Sequence, residues 1–484
     1  MAETTLKEKT AKGIFWGGIS NFVQQAIGAV FGIVIARLLS PGDYGLVGML
    51  SIFTVLGNTI CESGFTTALT NRKEIKKEDY NAVFWFSLTA GVVMYLILFF
   101  CAPFISRFYG QPELMDLSRL VFLNFMLNSA GTAHFALMFK KLMVKERAKI
   151  DITAISISGL VGLILALNGF AYWGLALQTL SFTTVSVILR WHYSQWRPTL
   201  NVNIKPLREM FWFSFKLFLT NIFMQISSNI FSVLLGKFYD EKQVGYYSQG
   251  NKWMMLGSTV IGGMITSVAQ PIFVESKEDR GRLLMIFRKM LRFGAFVSFP
   301  TMLGLAFIGE EFIAITIGDK WLESVPFLQL LCIWGAAGYI WYLYVFLLMS
   351  MGKSNIYLYG CIAICLLQLV CAAFLFPFGI YSMLIAYVVC YFIGICIWHY
   401  FVNKLIGIRL WHVLKDLLPY LLITAVCFSV AWSVSQVAQS LYLRAVLKIT
   451  VAVVIYILIM KYSLSTIFRE SLLFLTNRCK KYKL

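Results

Sequence analysis

The stretch SNIYLYGCIAICLLQLVCAAFLFPFGIYSMLIAYVVCYFIGICIWHYFV, residues 354–402, contains no Asp, Glu, Lys or Arg. A membrane core of ~30 Å is crossed by ~20 apolar helical residues, so this stretch reads as two successive spans dividing near Pro377 and Gly379. Its apolar residues run on without the alternation of period two that a transmembrane barrel requires. The rest of the chain has the same character. Of 484 residues, 59% are hydrophobic and 13% charged, with a mean hydropathy of +0.74. Soluble domains carry nearer a quarter charged residues. A cytosolic enzyme, a secreted disulfide scaffold and a disordered chain are therefore excluded.

Working outward in both directions gives fourteen spans. They fall at about 13–36, 45–65, 82–105, 117–139, 150–168 and 170–189, then 209–236, 253–275, 288–309, 325–350, 355–377 and 379–402, with 416–437 and 444–462 last. The N-terminal apolar run is too long for a cleaved signal peptide and lacks a small-residue cleavage site, so it reads as a retained first span. With the N-terminus in the cytoplasm, thirty-two of the 42 Lys and Arg fall on inner segments and span ends, eight on outer ones and two within spans. That asymmetry predicts both termini inside, and it accounts for the net charge of +19 without nucleic acid. The tail 463–484 reads as either a short helix on the inner leaflet or a solvated basic segment. Most of the ten Cys sit in apolar runs as small hydrophobes. The four scattered His form no metal-ligand spacing, so no cofactor or metal is expected.

The chain repeats itself. Phe15, Asn21, Gln25, Phe31 and Gly45 recur 200 positions later as Phe215, Asn221, Gln225, Phe231 and Gly245, with Lys237 answering Arg37. Phe104, Ile105 and Gly110 match Phe312, Ile313 and Gly318, and Gly169 and Ala176 match Gly379 and Ala386. The expected organisation is an all-α polytopic membrane protein with two six-helix lobes in parallel repeat, 1–205 and 206–403. Helices 13 and 14 follow over 404–462, as an added wall or lipid groove, and then the basic tail. Proteins with repeated lobes place a site between them and alternate its access.

ARLLSPGDYGLVGM (36–49), NAVFWFSL (81–88), FKKLMVKERAKID (139–151), GYYSQGNKW (245–253) and GDKWLESVPFLQLL (318–331) resemble the polysaccharide-transporter branch of the multidrug/oligosaccharidyl-lipid/polysaccharide flippase superfamily. The resemblance covers helices 1 to 12. It implies a flippase that carries a polyprenyl-pyrophosphate-linked oligosaccharide from the cytoplasmic to the outer leaflet of a bacterial inner membrane, for O-antigen, lipopolysaccharide or exopolysaccharide assembly. Polysaccharide assembly enzymes are its implied partners, along with membrane lipids.

Such a protein needs cations for the pyrophosphate and amides or hydroxyls for the sugar. Lys216, inside the seventh span, either faces a cavity or snorkels to the inner interface. Asn221, Gln225 and Asn229 form one stripe on that helix, and Asn21, Gln24 and Gln25 the matching stripe on the first. Sugar contact and helix–helix hydrogen bonding are both open readings for these amides. Arg288, Lys289 and Arg292 open the ninth span; positive-inside bias accounts for the first two, and Arg292, one turn deeper, is the candidate for phosphate. Glu62, read as near the outer end of the second span, is the candidate site for a coupling H+ or Na+. Asp151 is expected at the inner interface, paired with a nearby Lys or Arg. Pro300 interrupts the ninth span as a hinge or a static kink. The rivals are a multidrug exporter of the same superfamily, or a membrane polysaccharide polymerase or ligase. The first helix has no carboxylate of the kind drug extruders carry there, and no long outer loop or carboxylate cluster suggests an enzyme.

Overall fold

A computed structural model describes residues 6–62, 65, 69, 75–200, 203, 205–462 and 468. Among them every regular element is helical. The first unit contains α1 (Leu6–Leu38), α2 (Pro41–Met49), α3 (Ser51–Glu62), α4 (Lys77–Tyr109), α5 (Leu114–Ser129) and α6 (Thr132–Lys140). It continues through α7 (Val144–Leu167), α8 (Ala171–Ser194) and α9 (Lys205–Phe238) into the start of α10 (Glu241–Glu275). The second contains the rest of α10, α11 (Arg280–Ser298), a π-helical turn over Phe299–Leu303, α12 (Gly304–Phe307) and α13 (Gly309–Thr316). Then come α14 (Val325–Ser350), α15 (Ser354–Leu375), α16 (Ile380–Ile406), α17 (Leu410–Ser435) and α18 (Leu441–Tyr462). Thirteen of these runs are long and apolar enough to cross a membrane, and α5 with α6, bent by 43°, supplies a fourteenth. The chain is a multi-pass all-α membrane protein.

Three spans are broken, two of them where the sequence suggested continuous helices and the third at the expected Pro300. The second divides at Leu50 into α2 and α3. The fourth bends at Ala130 and Gly131. The ninth passes through the π-helical turn that contains Pro300, where the missing N–H disrupts the regular ladder. Several helices also outrun their apolar cores: α7 begins at Val144, α8 runs to Ser194 and α17 begins at Leu410. Hydropathy marks the membrane core, but the backbone keeps satisfying its own polar groups beyond it. Local chemistry fixes the ends. Ser40 and Asp43 form a reciprocal capping box with Pro41 at the first helical position of α2. Left-handed Gly110 and Gly407 close α4 and α16.

Compactness divides the chain into Met1–Gly245 and Tyr246–Leu484. In the first unit α7 packs on α1 and α8, and α9 packs on α2, α3 and α4. Two repeat-related glycines make a reciprocal crossing there. A Cβ on Gly45 would run into the Glu241 carbonyl, and one on Gly245 into the Pro41 carbonyl. Gln111 Nε2 donates to Glu241 Oε2 at 2.8 Å, and Lys237 Nζ donates to the Phe108 carbonyl at 2.8 Å, at the same end of the unit. In the second unit α14 is the central helix, packed on α11, α15 and α16. The last two spans, α17 and α18, pack on each other, α17 reaching α11 and α18 reaching α13. The tail 463–484, read either as a helix on the inner leaflet or as a solvated basic segment, falls, apart from Phe468, outside the described residues.

Candidate functional site

Charged side chains on membrane-spanning helices mark where water or a ligand must reach. The first unit gathers four. Arg147 and Asp151 stand at i and i+4 on α7, a spacing that places them on one face. Arg190 lies in the last turns of α8, and Glu62 closes α3. The two arginines share an aromatic partner: the Arg147 guanidinium sits 4.8 Å from the centre of the Phe135 ring and Arg190 5.2 Å from it. Arg147 also lies 5.3 Å from Phe139, the i+4 neighbour on α6. Each such contact contributes about 0.5–2 kcal/mol. Electrostatically Arg190 is in reach of Asp151, Arg147 and Glu62. Yet among the described residues neither arginine makes a direct ion pair or a hydrogen bond, and the buried Nε of Arg147 has no acceptor.

The surrounding sequence builds this arrangement. The break at Ala130 and Gly131 turns α6 so that Phe135 and Phe139 meet the arginines, and a Cβ on Gly131 would lie 3.4 Å from Arg190 Nη1. The end of α8 is tied to that break: Trp191 Nε1 donates to the Ala130 carbonyl at 2.8 Å, and Ser194 Oγ meets His134 Nδ1 at 2.7 Å. Gln195 then takes a left-handed φ of 54°, and Arg197 donates to the carbonyls of Trp191 and Trp196. A cavity of about 750 Å³ opens at this end, lined by Lys77, Glu78, Lys140, Lys141, Trp196 and Arg197 among others.

The second unit treats its charges differently. Arg288 grips Asp416 of α17 with both arms, Nε to Oδ2 at 2.7 Å and Nη2 to Oδ1 at 2.9 Å. Arg292 Nε lies 3.8 Å from the same carboxylate and donates to the Arg288 carbonyl at 3.3 Å. Deeper in the unit Lys448 of α18 pairs with Glu311 of α13 at 2.6 Å, with Glu311 only 1% exposed. Lys448 Nζ also lies 4.8 Å from the Phe307 ring centre, and Phe307 stacks on Phe428. Lys448 borders an apolar cavity of about 410 Å³, lined also by Pro300, Phe307, Phe428, Ala452 and Tyr456.

The residues singled out from sequence are distributed as follows. Arg292 joins the Arg288–Asp416 group. The side chain of Lys216 lies outside the described residues. Asn221 and Asn21 are exposed, and Gln24, Gln25, Gln225 and Asn229 are half-buried. The Asn229 amide donates to the Gln225 carbonyl of its own helix at 3.0 Å. Glu62 needs correction. It ends the span that begins at Pro41 and lies in reach of Arg190, which stands in the last turns of the sixth span. Two even-numbered spans end on the same side, and with a cytoplasmic N-terminus that side is the inner one. Asp151 is in electrostatic reach of Arg190 and Arg147 but makes no direct ion pair among the described residues. The sequence reading missed Arg147, Arg190, Asp416 and Glu311, which it assigned to loops or span ends. The i, i+4 spacing of Phe135 with Phe139 and of Arg147 with Asp151 was the signal available.

The family profile described as "Polysaccharide biosynthesis protein" matches residues 34–326. The lipopolysaccharide biosynthesis protein WzxC of Escherichia coli (strain K12) is 25% identical over 337 residues, 68% of each chain. The succinoglycan biosynthesis transport protein ExoT of Rhizobium meliloti (strain 1021) is 23% identical, over 69% of this chain and 67% of its own. Among solved structures, the lipid II flippase MurJ in an inward closed conformation superposes with a TM-score of 0.74 at 14% identity, covering 93% of this chain and 99% of that one. The likeness establishes the fold.

Proposed function

We propose, from the premise that this chain belongs to the polysaccharide biosynthesis protein family, that it is a flippase for a polyprenyl-diphosphate-linked oligosaccharide. It moves that lipid from the cytoplasmic to the outer leaflet of a bacterial inner membrane, with both termini in the cytoplasm, and makes or breaks no covalent bond. The observation that carries this reading is the group of Arg147, Arg190, Asp151 and Glu62 on the spans of a protein with this fold. A charged head group that crosses a bilayer needs such a polar station, because each bare charge in hydrocarbon costs about 3 kcal/mol or more. The polyprenyl tail needs none, and the apolar cavity beside α17 and α18 suits a chain that stays in lipid.

Access alternates between the two repeat-related lobes. Glu62 and Asp151 are the candidates for a coupling H+ or Na+. The arginines argue against a multidrug exporter of the same superfamily, since their N–H donors suit an anionic head group and offer nothing to a cationic drug. A polymerase or ligase would need catalytic groups, and the carboxylates in the first unit stand beside arginines instead of facing each other as an acid and base pair.

The test is sidedness. Membrane vesicles with and without the protein are probed for lipid-linked oligosaccharide reachable from the outer leaflet. Loss of the protein should trap the oligosaccharide on the cytoplasmic face. If the unit still crosses but stays unpolymerised, the enzyme reading replaces this one.

A further inference from the structure

We infer that Arg147 and Arg190 form a diphosphate-binding site within the first unit, an inference that rests on the flippase reading for the source of its ligand. A guanidinium presents five N–H donors in a fixed fork, and polar groups withdrawn from water are almost always hydrogen-bonded. Both arginines are half-buried on membrane-spanning helices. Yet among the described residues neither gives a hydrogen bond to the protein, and Arg147 Nε is buried without an acceptor. Asp151 is the natural i+4 partner of Arg147, but that guanidinium lies instead over Phe135 and Phe139. The shared Phe135 ring holds both cations in place while leaving their N–H edges unused.

The chemistry of these edges selects the ligand. Planar forks match phosphate oxygens in paired hydrogen bonds, which ammonium groups do not. Two neighbouring forks suit two linked phosphates. A neutral sugar would gain little from two adjacent cations. Glu62 and Asp151, in electrostatic reach, balance the arginine charges before the ligand arrives. The cavity at the same end carries Lys77, Lys140, Lys141 and Arg197 against one carboxylate, Glu78, and this basic excess draws an anion toward the site.

The experiment uses the full chain in phosphatidylcholine nanodiscs and farnesyl diphosphate as the probe, with farnesol as the control. Wild type should bind the diphosphate and not the alcohol. Arg147→Gln and Arg190→Gln should each weaken binding about tenfold or more. Arg190→Lys, which keeps the charge and loses the fork, should fall between wild type and Arg190→Gln, and Arg282→Gln on the exposed start of α11 should bind as wild type does. Inorganic diphosphate should compete. Equal competition by phosphatidylglycerol would overturn the proposal in favour of a general head-group site. Binding within about twofold of wild type in both Gln variants, with the variants folded by thermal unfolding, would overturn it outright. Binding involves no leaflet transfer, so the two readings fail separately. Intact transfer in the Gln variants removes this site and leaves the flippase standing. Arginine-dependent binding without any transfer in the sidedness assay removes the flippase and leaves the site.

Discussion

Arg288 and Arg190 are the same residue type on spans of the same protein, yet one is gripped by a carboxylate and the other is not. Asp416, 5% exposed, takes two hydrogen bonds from Arg288 and stands near Arg292 as well. Arg190 and Arg147 have carboxylates within electrostatic reach and touch neither, resting on an aromatic ring instead. A gripped arginine ties α11 to α17 and has little left to offer a ligand. An arginine on a ring keeps its donors. The distinction between scaffold and site therefore lies in what each guanidinium touches, which counting basic residues does not reveal.

Stability measurements sharpen this contrast, beginning where pairing is most complete. Glu311→Ala leaves Lys448 buried without its counter-charge, and removing one member of a buried pair costs about 3–5 kcal/mol. Denaturant unfolding in detergent should record that loss. The double variant Glu311→Leu with Lys448→Leu should recover most of it, because two apolar groups replace two charges. Asp416→Asn comes next. It weakens a partly exposed grip, and about 2 kcal/mol should be lost in the same measurement. Arg190→Gln should change stability least, by about 1 kcal/mol, since it gives up a ring contact and longer-range attraction to Asp151 and Glu62 but no direct ion pair. A loss for Arg190→Gln as large as that for Asp416→Asn would erase the contrast.

Much of the fold is legible in the sequence, and the reasons are physical. Fourteen apolar runs appear because hydrocarbon tolerates no unsatisfied backbone, so each crossing must be a long helix. Gly45 and Gly245, which the sequence matches at an offset of 200, each lie against the backbone of the other segment, where a side chain does not fit. The breaks are harder to see. Leu50 is an ordinary helix former, and at the second break only Gly131, one residue after Ala130, gives a local signal. The site was hidden for a related reason. Arg147 and Arg190 lie past the points where hydropathy falls, so they look like loop charges drawn by the positive-inside rule. The helices run on through them, and the side chains turn back onto Phe135. Asp416 and Glu311 stand on helices rather than loops for the same reason.

The arginines held on Phe135 serve transport and not the scaffold. The most direct test of that role compares wild type with the Arg147→Gln, Arg190→Gln double variant in vesicles at equal protein abundance. The quantity measured is the lipid-linked oligosaccharide reaching the outer leaflet per unit time, with thermal unfolding recorded on the same preparations. Transport should fall about tenfold or more, with an unfolding temperature within a few degrees of wild type. Transport at the wild-type rate, or lost only in proportion to the fraction unfolded, would contradict it.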